Sequence, residues 1–140
     1  MGKGTPVEKV EEIALAVKNL EEVVKLYEDL FGMKFDMEWE VPMENMRVKS
    51  ALIGKTQFHI VESTSSEGVI AKFIQRKGEG IHHICFRVKN LAEMMERLKK
   101  GAKLVPEKPV DLGSVRYIFV HPHSTHGVLI ELMETIEGEG

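Results

Sequence analysis

A single cysteine, Cys85, is all that this 140-residue chain carries, so no disulfide can form within it. Apolar runs are short: none approaches the roughly 20 residues that a bilayer span requires. The opening "MGKGTPVEKVEE" lacks the long apolar segment of a signal peptide, and Pro6 stands where a myristoylation signal would want Ser or Thr. Charge of one sign is also in short supply. Nineteen basic residues against 22 acidic ones leave a net charge of -3, too balanced to attract nucleic acid or an anionic membrane. Aromatics make up only 6% of the chain, while Met is plentiful at 8 residues and apolar residues reach 43%. These features describe one globular domain over residues 1–140 with an adaptable core, expected in the cytoplasm.

What the chain does contain is a repeat. "EEIALAVKNL" at residues 11–20 returns 71 positions later as "HHICFRVKNL" at 82–91, and the match continues through Glu22 with Glu93, Val23 with Met94 and Val24 with Met95. Each copy reads as a strand followed by a helix. Asn19 and Asn90 suit the N-cap, with Glu22 and Glu93 three residues on. Leu20, Val23, Val24, Tyr27, Leu30 and Phe31 then recur at helical spacing up to Gly32. In the second copy Leu91, Met94, Met95 and Leu98 do the same, and Gly101 is expected to end the helix.

Three strand-like pieces follow each helix: "FDMEWEV", "RVKSALI" and "TQFHIVES", then "AKLVPEKPVD", "VRYIFVHP" and "GVLIELMET". The last of each set also align, with Phe58 to Glu62 lying over Ile130 to Glu134 at an offset of 72. Each module therefore reads βαβββ, the first over about 8–63 and the second over about 80–135. Between them, over about 66–78, a linker helix is expected to carry Val69, Ile70, Phe73 and Ile74 on its apolar side. The expected fold class is α+β: two paired βαβββ modules forming a cupped mixed sheet, with helices on the outer face.

Strand alternation assigns the faces. Ile13, Leu15 and Val17 share one face of the first strand, and Glu12, Ala14 and Ala16 the other. Ile84, Phe86 and Val88 oppose His83, Cys85 and Arg87. In the final strands Phe58 and Ile60 oppose His59, and Ile130 and Leu132 oppose Glu131. If the bulky faces lie under the helices, Glu12, His59, His83 and Glu131 point into the cup. A lone strand histidine is more often a hydrogen-bonded core residue. Four metal-capable side chains at matched positions of two repeats instead form a plausible ligand set for a divalent ion.

Several segments resemble one family. "AVKNLEEVVKLYEDLFGMKF" is similar to the first helix of the vicinal oxygen chelate superfamily, which includes glyoxalases, bleomycin-resistance proteins and dioxygenases. "IAKFIQRKGEGIHHICFRV" and "FVHPHSTHGVLIELME" resemble the methylmalonyl-CoA epimerases within it, and "VPMENMRV" does so more weakly. The resemblance covers roughly residues 8–134 and implies metal ligands at Glu12, His59, His83 and Glu131. It departs from the epimerase pattern at two of them, which has His at the position of Glu12 and Gln or Glu at that of His59. The two changes compensate, as if one imidazole and one carboxylate had exchanged places. Val48 stands where some epimerases carry a second catalytic Glu, and His123 and His126 stand where Lys and Gly are common.

The resemblance implies an isomerase that interconverts (R)- and (S)-methylmalonyl-CoA by removing the α-proton through a metal-stabilised enolate. Glu131 would be the principal base, with Glu12 a ligand and second base. It also implies a divalent cofactor, with cobalt first and manganese, nickel or zinc as alternatives. An acyl-CoA substrate and a homodimer follow from the same source. Arg47, Lys49, Lys72, Arg76, Lys77 and Arg116 are the cations available to CoA phosphates. His82 is expected to be structural. The competing readings are a glyoxalase I-like lactoylglutathione lyase and a non-catalytic small-molecule-binding or resistance protein of the same fold.

Overall fold

The computed structural model describes residues 5–136 and contains eight β-strands and three α-helices. In chain order these are β1 (Val7–Ala16), α1 (Leu20–Phe31), β2 (Met37–Val41), β3 (Met46–Ile53), β4 (Thr56–Ser63), α2 (Val69–Lys77), β5 (Gly80–Val88), α3 (Leu91–Leu98), β6 (Leu104–Asp111), β7 (Val115–Val120) and β8 (Ile130–Thr135). The chain divides into two compact units, one spanning Glu12–His82 and the other combining His83 onward with the segment up to Glu11. The fold is α+β, built from two βαβββ modules.

In the N-terminal unit the strand order is β2-β3-β4-β1. β1 and β4 run parallel, while β2/β3 and β3/β4 are antiparallel. The C-terminal unit repeats this as β6-β7-β8-β5, with β5 and β8 parallel and the other two pairs antiparallel. The repeat extends to register: Ala14 faces His59 in the first ladder as Cys85 faces Glu131 in the second. Offsets of 71 on the first strand and 72 on the last thus meet at the same ladder position.

Local chemistry accounts for the helices. Asn19 accepts from the Glu22 N–H (3.0 Å) and Asn90 from the Glu93 N–H (2.9 Å), satisfying donors that the helical backbone leaves open. A carboxylate also reaches each helix start from the last strand. The Leu20 N–H donates to Glu62 (3.1 Å), and the Leu91 N–H donates to Glu134 (3.1 Å). Negative charge there is also favourable to the helix dipole. Gly32 ends α1 in the left-handed region at φ 68°. α3 differs from expectation. It ends at Leu98, and the Leu98 carbonyl accepts from both the Gly101 and Ala102 N–H groups, so a tight turn stops it before Gly101.

The faces match the alternation. Leu15, Val17, Phe58 and Ile60 cluster with Leu20 and Val24 of α1, while Phe86, Val88, Ile130 and Leu132 cluster with Leu91 and Met94 of α3. The opposite face of the N-terminal sheet is not left bare. Ile70, Phe73 and Ile74 of α2 pack on Ala16, Val48 and Val61 there, whereas Val69 is 49% exposed and does not join the apolar side. The first five residues of β1 belong to the C-terminal unit. Val7 packs on its core, the Lys89 N–H donates to the Pro6 carbonyl (3.1 Å), and Arg87 lies 3.2 Å from the largely buried Glu11.

On the α1 side, Arg47 (2.7 Å) and Lys49 (3.2 Å) converge on Glu21. First the Arg47 guanidinium and then the Lys49 ammonium hold the Glu21 carboxyl below its ordinary value, and both cations are raised in return. A carboxyl that is more acidic in the folded chain adds stability above its unfolded pKa and loses it as pH falls through the folded one. The stability gap between the wild type and Glu21→Gln should therefore be widest near neutrality and narrow as pH falls below the ordinary carboxylate range. Urea melts of both proteins at neutral and acid pH check this, and a gap unchanged at low pH would contradict it.

Candidate functional site

In the N-terminal unit, β1 and β4 bring Glu12 and His59 to the same face, with the carboxylate Oε2 3.2 Å from His59 Nδ1. In the C-terminal unit, β5 and β8 do the same for His83 and Glu131, with Nε2 3.4 Å from Oε1. All four side chains are largely sheltered, between 10% and 17% exposed. Two donors bound to one ion at about 2.1 Å, at angles near 90–110°, lie about 3.0–3.4 Å apart. Each unit thus holds one imidazole and one carboxylate at the spacing of neighbouring ligands on a divalent ion, so the residues present fit a metal.

Further groups line the N-terminal pair, and the alternation pattern alone did not single them out. Gln57 lies directly across from Glu12 in the β1/β4 register, and its Oε1 is 2.9 Å from His59 Nε2. Trp39, on β2, stands edge-on to the His59 ring at 5.1 Å and 82°. Ser50 pairs with His59 across β3/β4, fully buried, with its hydroxyl lacking a hydrogen-bond partner among the described residues. Gln57 was legible in principle, since it sits two residues before His59 and so on its face. Trp39 and Ser50 depend on strand pairing. Beside the other pair, Phe119 meets His83 edge-on at 5.9 Å, and Cys85 is buried opposite Glu131.

The remaining expectations separate. His82 meets the ring of Phe73 in α2 at 4.9 Å, a structural contact. Arg47 and Lys49 are committed to Glu21, Glu62 and Glu38, and Arg116 to Asp111, so three of the six cations are engaged in ion pairs. His126 takes a left-handed backbone at φ 61°, a conformation that glycine adopts more readily than a residue with a Cβ. Cavities of about 370 and 940 Å³ open beside α2 and α3, and neither is lined by any of the four ligand candidates. The candidate site therefore rests on donor geometry rather than on a cavity. No helix among the described residues is long and apolar enough to cross a membrane.

Two βαβββ modules that each present an imidazole and a carboxylate from their first and last strands define the α+β class of this protein. The chain belongs to the Glyoxalase/Bleomycin resistance protein/Dioxygenase superfamily, whose family model matches residues 11–120. Its relatives include the mitochondrial methylmalonyl-CoA epimerase of Homo sapiens, 30% identical over 128 residues, covering 89% of this chain and 72% of that one. The solved structure of methylmalonyl-CoA epimerase from Mycobacterium tuberculosis superposes with a TM-score of 0.85 at 29% identity, covering 98% of this chain and 94% of that one. A hypothetical protein from Bacillus halodurans C-125 matches with a TM-score of 0.85 at 32% identity, covering 94% and 97%. Membership of this superfamily suggests a divalent metal ion as cofactor.

Proposed function

We propose that the chain is a metal-dependent methylmalonyl-CoA epimerase in which residues 1–140 act as one domain and Glu12, His59, His83 and Glu131 together hold one divalent ion. The observation that carries the reading is the matched pair of imidazole and carboxylate in each unit, at 3.2 and 3.4 Å. Relatives named as epimerases over most of their length add support. Two imidazoles and two carboxylates suit cobalt, which we place first, and also manganese, nickel or zinc. A homodimer is part of the reading, and a buried lone cysteine suits a reducing cytoplasm.

The reaction inverts a carbon that lies α to a thioester. That carbon acid is weak, so the barrier lies in forming the enolate. A divalent ion held by Glu12, His59, His83 and Glu131 would supply Lewis-acid stabilisation of the developing negative charge. The chain supplies the proton transfers: Glu131 accepts the α-proton on one side of the carbon, and Glu12 returns a proton on the other. Sheltering both carboxylates keeps bulk water from competing for the carbanion.

Purified protein, assayed for bound metal, should exchange the α-proton of methylmalonyl-CoA for deuterium in D2O and interconvert its epimers. It should not turn over the hemithioacetal of glutathione and methylglyoxal. Metal-replete protein that neither exchanges nor epimerises would overturn the assignment, and hemithioacetal turnover would replace it with a lyase.

A further inference from the structure

We propose that Gln57 selects the nitrogen with which His59 binds metal: its amide oxygen holds the Nε2 proton and leaves Nδ1 for the ion. This rests on the metal site proposed above.

A neutral imidazole has one lone pair, so the nitrogen that does not bind metal carries a proton that needs an acceptor. His59 Nε2 lies 2.9 Å from Gln57 Oε1, and Nδ1 lies 3.2 Å from Glu12 Oε2. Gln57 stands across the parallel ladder from Glu12, so carboxylate, imidazole and amide share one face. Glutamine suits the task because it accepts the proton without adding another charge beside Glu12. The Trp39 ring, packed at 5.1 Å and 82° to the His59 ring, opposes a ring turn that would exchange the two nitrogens.

The other unit is arranged differently. His83 presents Nε2 rather than Nδ1 to its carboxylate, at 3.4 Å, and the position equivalent to Gln57 is the apolar Leu129. Gln57 therefore belongs with the exchange of His and Glu in the first module. A histidine moved to the last strand needs its own acceptor, and the residue two positions earlier provides one.

Nitrogen-15 NMR of the His59 side chain, recorded with and without zinc, tests the assignment directly. Nε2 should be protonated in both states, and zinc should bind at Nδ1. Gln57→Leu should weaken zinc binding about 10–100-fold, the range typical of an outer partner to a metal-bound histidine. Gln57→Glu retains an acceptor and should stay within about 3-fold of wild type, a rescue that mere loss of packing would not produce. Zinc on Nε2 in the wild type would overturn the proposal, as would unchanged affinity in a folded Gln57→Leu protein. If the wild type binds no zinc, the metal-site reading fails by itself. The metal-free spectrum then decides the Gln57 bond: an Nε2 proton signal lost in Gln57→Leu upholds it, and absence of that signal in the wild type refutes it.

Discussion

Glu131→Gln is expected to slow epimerisation by about 10²–10⁴-fold, the usual worth of a positioned proton acceptor. The amide keeps an oxygen for the ion and nearly the same shape, so metal content should fall far less than activity. Loss of proton transfer with metal retained is what separates a base from a simple ligand. A two-base scheme makes a sharper statement. Each carboxylate serves one epimer, so Glu131→Gln should still exchange the α-proton of the epimer served by Glu12, returning it on the same side. Glu12→Gln should show the mirror pattern. Deuterium uptake measured separately from each epimer checks both. Full activity in Glu131→Gln would remove that residue from the reaction, and loss of exchange from both epimers in Glu131→Gln with exchange from both retained in Glu12→Gln would favour a single base.

Removing one proposed ligand of the exchanged pair should have an effect of similar size on metal binding. His59→Ala deletes an imidazole that sits 3.2 Å from Glu12, and should weaken affinity for cobalt or zinc by more than about 100-fold, beyond the range of outer-shell changes. The double variant Glu12→His with His59→Glu returns each residue to the order found in the second module and keeps the same donor set. It should bind metal within about 10-fold of wild type, since the two positions share one face of the β1/β4 ladder and their side chains meet at 3.2 Å. Competition titrations on the three proteins measure this. If the double variant is as weak as His59→Ala, then local geometry matters more than the donor set, and the idea of an exchanged pair fails.

The repeat, the caps at Asn19 and Asn90, and the common face of Glu12 with His59 and of His83 with Glu131 could all be read along the chain. They depend on short-range rules: a period of two along strands, and a three-residue step at helix starts. The packing of α2 on Ala16, Val48 and Val61 could not be read that way. Its amphipathic pattern shows that a face must be covered but not which surface covers it. Arg47 and Lys49 looked available to phosphate because their partner Glu21 lies 26 and 28 residues away and meets them only once α1 crosses the sheet. The same holds for Glu62 and Glu134, which cap helices 42 and 43 residues earlier.

Residue type and alternation were enough to nominate four ligands, because a side chain's chemistry and its face travel with the chain. Which atoms of those candidates meet one another depends on pairing between strands distant in sequence. That pairing sets Gln57 across from Glu12, turns Nδ1 of His59 toward the carboxylate, and places Trp39 against the ring. A histidine has two nitrogens, and only its neighbours in space decide which one is available.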